Sequence, residues 1–362
     1  MVRQRFFAFF CYGLATVLPL MSCRAENRTP VVGSSTTNED RQGPFFAVTE
    51  ENDLFSNPFT ATDHTDRHYT QGLKFTWLNG DDDMPQWVRR VSDDVPKLGI
   101  NMTAQNLGYV FGENMYTPQN LQESALITND RPYAGWLYGG VYLQRRGEVG
   151  DSGVPVQESF EIDFGTTGPD SLAGWAQTHF HQAFDSADVP QGWHNQLAGE
   201  PGLLLKYERF WRWSPNAETA RYVDLIPHAG GELGNIMIFQ NLGGVVRVGY
   251  NLPEDFGVQT IDSPASLGGG TTSNSPPFAC YVFGGVDGRA VEHNLFLDGN
   301  SFRSGPSVER IPWVADLSTG GAVRMFRHLE ISYTRVVRTH EFVGQQHPDQ
   351  FGSLEAKAMF MF

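Results

Sequence analysis

About twelve segments of roughly ten residues, each alternating apolar and polar side chains, run through this 362-residue chain. Beyond the amino terminus no stretch offers the ~18 consecutive apolar residues of a membrane helix. The segments fall near 44–54, 69–79, 104–113, 133–146, 155–166, 202–214, 219–231, 240–252, 278–297, 309–323, 327–339 and 353–362. In one, Leu203, Leu205, Tyr207 and Trp211 share a face, and Lys206, Glu208 and Arg212 share the other. In the last, Leu354, Ala356, Ala358, Phe360 and Phe362 oppose Glu355 and Lys357. A period of two sorts side chains onto opposite faces of a strand. Two all-β architectures meet that pattern. A soluble sandwich buries one face and wets the other; an outer-membrane barrel turns the apolar face to lipid and the polar face to its lumen.

Strand length favours the second, because about ten tilted residues cross a bilayer. The chain also ends on a strand whose final residue is Phe362, a common ending for such barrels. Aromatic pairs at segment ends (Trp136 with Tyr138, Trp211 with Trp213, Tyr281 with Phe283) suit interfacial girdles. The expectation is a twelve-stranded antiparallel transmembrane β-barrel over residues 44–362.

The amino terminus agrees. Arg3 and Arg5 precede an apolar run from Phe6 to Met21, which is too short to span comfortably, and Cys23-Arg24-Ala25 is a small-residue exit. Residues 1–25 therefore read as a secretory signal cleaved after Ala25, with a lipoprotein-type site at Cys23 as the alternative. Residues 26–43 read as a disordered lead-in. Removing three arginines from a chain of net charge −15 leaves about −18. Such a charge argues against a nucleic-acid partner, which needs a basic surface. Cys280 then stands alone, so no intrachain disulfide is expected. A monomer is expected.

Strand parity sorts the connections. With both termini periplasmic, those after odd-numbered strands lie outside: 55–68, 114–132, 167–201, 232–239, 298–308 and 340–352. Short inner turns fit 147–153 and 214–217. Segment 80–103, with Trp87, Val88 and Val91, reads as carrying a short helix, and segment 253–277, with Gly268-Gly269-Gly270, as flexible. The chemistry-bearing residues gather on the outer rim. Glu50-Glu51-Asn52-Asp53 closes the first strand; an acidic run there is easier to understand if a hard cation such as Ca²⁺, which takes oxygen ligands, binds Asn52 and Asp53. An Asn-Asp turn is the plain alternative. A solvated loop is the plain alternative for the stretch 63–68, and the favoured reading for His64. Thr70 opens the second strand, where a threonine is ordinary. Arg131 precedes Pro132 and reads as a partner of Asp130 or of a lumen carboxylate. His181 lies in a helical stretch after the fifth strand and is the candidate general base, since imidazole titrates near neutrality. His179, two residues away, points to another side, and the pair lacks the i,i+4 spacing of helical zinc sites. No nucleophile elbow, phosphate loop or dinucleotide fingerprint is present. If the chain is a hydrolase, the attacking group is water.

The ordered series Glu51-Asn52-Asp53-Leu54-Phe55, Asp66-Arg67-His68-Tyr69-Thr70-Gln71-Gly72, Met115-Tyr116-Thr117-Pro118, Asp130-Arg131-Pro132-Tyr133-Ala134-Gly135-Trp136 and Gly192-Trp193-His194-Asn195-Gln196-Leu197 resembles the outer-membrane lipid A 3′-O-deacylase family. Phe296-Leu297-Asp298-Gly299-Asn300 and Asp349-Gln350-Phe351-Gly352 extend the resemblance over nearly all of the mature chain. It implies a twelve-stranded barrel of the bacterial outer membrane that removes the 3′-linked acyloxyacyl group of lipid A with Ca²⁺. Asn52 and Asp53 then match the pair tied to cation and oxyanion, Thr70 the Thr/Ser of the second strand, and His181 the catalytic histidine, with one extra residue before Trp193. Where some members carry a lysine, this chain has Gln122 or Glu123; Arg131 is the candidate replacement for substrate binding. A supporting acid would fall near Asp188. The rival readings are a non-catalytic pore or surface barrel and a phospholipase with the same rim chemistry.

Overall fold

The computed structural model describes residues 41–56, 67–184, 189–258, 260–261 and 270–361. The expected signal, nearly all of the lead-in, His64, Asp188 and Phe362 lie outside them. Twelve antiparallel strands close into one barrel: β1 (Phe45–Asn52), β2 (His68–Leu78), β3 (Ile100–Thr117), β4 (Ala134–Val149), β5 (Val154–Thr167), β6 (Pro201–Trp211), β7 (Val223–Gly234), β8 (Met237–Tyr250), β9 (Phe278–Asn294), β10 (Trp313–Met325), β11 (Leu329–Arg338) and β12 (Asp349–Met359). β1 pairs with β12 from Phe45↔Met359 to Asn52↔Gly352, so no edge is left open. Three helices lie in connections: α1 (Gln86–Asp94), α2 (Ala173–Phe184) and the single turn α3 (Leu295–Asp298).

The alternation has the expected sense. Leu203, Leu205, Ile162 and Phe164 are exposed on the outer wall, whereas Lys206, Glu208, Glu161 and Asp163 are buried in the lumen. Several expectations need correction. β3 is longer at both ends than 104–113, because its hairpin with β4 continues to Ile100↔Val149. The outer connection placed at 232–239 shrinks to Asn235-Ile236, whose Asn235 side chain bonds Leu203 N and Pro201 O across the rim. Trp136, Tyr138, Tyr281 and Phe283 are no interfacial girdle: all are at most 8% exposed. Their parity points them inward, where they fill the lumen between ion pairs. Trp213 does face outward.

Ion pairs occupy much of the lumen. Lys74 and Lys206 both reach Glu161, at 3.1 and 3.0 Å, and Lys206 also reaches Asp163 at 2.9 Å. Segment 253–277, expected to be flexible, enters the barrel in its described part. Asp255 is locked between Arg247 and Arg324, Phe256 and Ile261 are buried, and Ile261 N donates to Glu51 Oε1 at 2.7 Å. Its carbonyls and carboxylates satisfy arginines that a bare lumen would leave to water.

Candidate active site at the outer rim

Asn52 ends β1 and caps a 3-10 turn, Asp53–Phe55, by accepting Leu54 N at 2.8 Å on its side chain. The turn lies against β12 where Gly352 has no side chain; a Cβ there would stand 2.3 Å from Phe55 O. Tyr333 donates its hydroxyl to the same carbonyl at 2.7 Å. Asp53 is thereby sunk to 1% exposure, with Oδ2 accepting Arg67 N at 2.9 Å. Thr70 sits where the β2–β3 register slips between Tyr69 and Gln71, a bulge that re-aims its side chain. Its hydroxyl shares a 2.6 Å hydrogen bond with that of Thr117, and both are buried.

α2 packs on β3 and β4. Gly135 makes this possible, since a Cβ there would meet Ser171 Oγ at 2.1 Å and Ala173 Cβ at 2.4 Å. Ala173, Gln177 and His181 form its buried face at i, i+4 and i+8. Gln177 accepts the Trp193 indole N–H at 2.8 Å, and Trp193 packs on Tyr133 at 4.9 Å between centroids. This places the Gly192-Trp193 motif as the buttress of the helix. His181 is 7% exposed, on the side of the helix that also buries Ala173 and Gln177. His179 is on the exposed face, stacked on Trp175 at 4.5 Å with Nδ1 at 2.8 Å from Trp175 O. The two histidines do face different sides. Asp53, Thr70 and His181 thus rise from neighbouring elements around the same rim.

Arg131 pairs with a carboxylate, as expected, but with a distant one. Its guanidinium pairs with Glu341 at 3.2 Å and lies over the Tyr116 ring at 4.8 Å; Asp130 takes only its backbone N–H, at 2.8 Å. Arg131 is 1% exposed. The loop length before Pro132 lets the side chain turn down onto Tyr116, which itself stacks on Phe296 at 4.2 Å.

His68 is a residue to which sequence reasoning gave no role. It is 2% exposed and adopts φ +60, a left-handed conformation that costs a histidine about 1–3 kcal/mol unless its surroundings fix it. They do: Nδ1 bonds Asp349 at the start of β12, Nε2 faces Asp130 at 3.4 Å, and Phe342 meets the ring edge-on at 5.4 Å. Three distant segments are clamped on one imidazole, next to the Arg67 N–H that holds Asp53. The motif around Tyr69 and Thr70 was a signal, but its partner lies 281 residues on. His68→Ala is expected to strip the buried Asp349 and the half-buried Asp130 of the imidazole they share and to cost about 1–3 kcal/mol, read as a lower unfolding midpoint of the refolded barrel. Burial pushes the Asp130 carboxyl up, but hydrogen bonds from His68 and from the Gln119 and Arg131 N–H groups bring it below the ordinary 3.8. A depressed carboxyl stabilises above its unfolded value and loses that contribution as pH falls through the folded one. Protease cutting within 118–133 should therefore accelerate below pH 3.8.

Asn52, Asp53, Thr70 and Thr117 supply oxygen donors of the kind Ca²⁺ takes. Among the described residues no group of three or more acidic, histidine or cysteine side chains is gathered for a metal ion. Any calcium would thus lean on amide, hydroxyl and carbonyl oxygens around one carboxylate.

A closed twelve-stranded barrel with a lipid-facing belt, ion pairs in its lumen and a polar rim built from its outer loops defines an outer-membrane barrel protein. The sequence profile of the family described as Outer membrane protein LpxR matches residues 10–360, and the chain belongs to that family. Among solved structures it is similar to LpxR from Salmonella typhimurium, with a TM-score of 0.66 and 18% identity over 87% of this chain and 100% of that one. At that identity the likeness speaks for the fold alone. The beta domain of the Bordetella autotransporter Brka also matches, at TM-score 0.36 and 10% identity over 88% of this chain and 99% of that one. No curated protein matches the chain.

Proposed function

We propose that the protein is a lipid A deacylase that hydrolyses the 3′-linked acyloxyacyl ester in the outer leaflet. The observation that carries this reading is that His181 lies on the buried face of α2, in a connection at the same end of the barrel as Asp53 and the start of β2 with Thr70. Family membership supports it. His181 takes a proton from water as the oxygen attacks the ester carbonyl. The tetrahedral adduct then expels the sugar oxygen, which recovers the proton from the imidazolium, leaving a free acyloxyacyl acid and a 3-hydroxyl. Thr70, shared with Thr117, orients the water. Asn52 and Asp53 would hold Ca²⁺, which when bound polarises the carbonyl and stabilises the oxyanion. The buried Asp53 carboxylate is fixed for that task by the Arg67 N–H. Because the substrate is anionic, a cation also lets an acidic chain accept it.

The test is the mass spectrum of lipid A incubated with the refolded protein, with and without Ca²⁺. Loss of one acyloxyacyl group in the presence of calcium is expected, together with a calcium-dependent rise in melting temperature that Asp53→Ala removes. Unchanged lipid A under every divalent cation sinks the reading. Phosphoglyceride digestion without lipid A digestion would select a phospholipase instead.

A further inference from the structure

The outward wall of the barrel carries a row of charge where lipid is expected, at the periplasmic ends of three strands. Arg145, Glu158 and Arg209 are cross-strand neighbours on β4, β5 and β6. They are ion-paired at 2.6 Å (Arg145–Glu158) and 3.2 Å (Arg209–Glu158). By strand parity they share the wall with Val141, Ile162 and Leu205, two rows higher and all exposed. Yet Arg145 is 1% exposed and Glu158 0%. The cover is the chain that follows α1. Arg145 donates to the carbonyls of Ser92 (3.1 Å), Val95 (3.0 Å) and Pro96 (3.0 Å), and Arg209 to that of Leu98 (3.0 Å). This periplasmic connection therefore climbs the outside of the barrel, and Val88 and Ser92 are the helix residues turned to the wall.

The opposite side of this cover is apolar. Trp87 is 69% exposed, Val91 56% and Leu98 64%, with Trp87 and Val91 one turn apart on α1. Arg90, Asp93 and Asp94 are exposed around them. We propose that α1 and the strap after it lie in the inner leaflet of the outer membrane at the headgroup boundary, with Trp87, Val91 and Leu98 in phospholipid. Three observations select a lipid surface over a soluble periplasmic partner. The patch is continuous with the lipid-facing belt, since the row it covers stands directly beneath that belt. The strap is fastened by four carbonyl acceptors to buried arginines, which fixes a short helix at one height on the wall. A helix with an apolar face, an indole and a mixed-charge rim has the make-up of an interfacial segment. Burying Arg145 and Glu158 under peptide carbonyls also removes charges that hydrocarbon would penalise.

The experiment uses the refolded barrel in nanodiscs whose phospholipid carries bromine near the top of the acyl chains. Comparing the protein with Trp87→Phe isolates this one indole among eight tryptophans. Bromolipid is expected to quench the Trp87 component at least twofold, while aqueous iodide leaves it nearly unchanged. A second readout places a nitroxide at Val91→Cys: collisions with oxygen should exceed those with a water-soluble nickel chelate. Iodide quenching without bromolipid quenching, or nickel access above oxygen access, would overturn the proposal and leave the face to a soluble partner.

Discussion

Replacing His181 with alanine is expected to slow acyl release from lipid A by about 10²–10⁴-fold, the usual worth of a positioned general base. The refolded barrel should keep its unfolding midpoint, because the helix is held elsewhere: by Ala173 against Gly135 and by Gln177 with Trp193. His179→Ala should change the rate less than about threefold, since that ring lies on Trp175 on the outer face. The pair of variants separates a base from a bystander two residues away. Equal rates for wild type and His181→Ala would remove the imidazole from the mechanism, and a large effect of His179→Ala would reassign it.

Arg247→Ala is expected to cost about 3–5 kcal/mol of stability, because it strips a buried cation from two buried carboxylates at once. Arg247 is 0% exposed and grips Asp224 through two bonds, at 2.9 and 2.6 Å, and Asp255 through another. It also holds the carbonyls of Pro253 and Asp255, each at 3.2 Å. Those last contacts pin the inserted segment. Its release should open an ion path, so bilayer conductance should rise from silence to discrete steps as the urea midpoint falls. Arg247→Lys restores the charge but not the forked geometry and should recover only part of both. An unchanged midpoint with a silent bilayer would show that the lumen is closed by other means.

Alternation made the strands legible: Leu203, Leu205, Lys206 and Glu208 read correctly because a strand keeps its faces whatever it packs against. Strand ends were less so. Ile100↔Val149 extends β3 through residues with no clean period, and only the paired strand carries them. The rim was legible as a set, since parity alone gathers Asn52, Asp53, Thr70 and His181 on one side. What parity omits is depth. Trp136 and Tyr281 read as girdle residues because aromatics suit both lipid and a filled lumen. Arg131 was legible as half of an ion pair, but nothing nearby in sequence reveals Glu341 as the other half. His68 and the inserted segment around Asp255 escaped for the same reason: each is defined by partners that approach only when the cylinder closes.

That closure has a consequence for when chemistry can begin. The Asp53 turn rests on Gly352, and His68 is tied to Asp349, so both lean on the last strand to be made. A chain still unzipped along its first-to-last joint, in transit or only partly inserted, lacks the floor beneath its carboxylate. On the proposed function, competence would be conferred by completion of the membrane-embedded ring, and hydrolysis withheld until the first and last strands have joined.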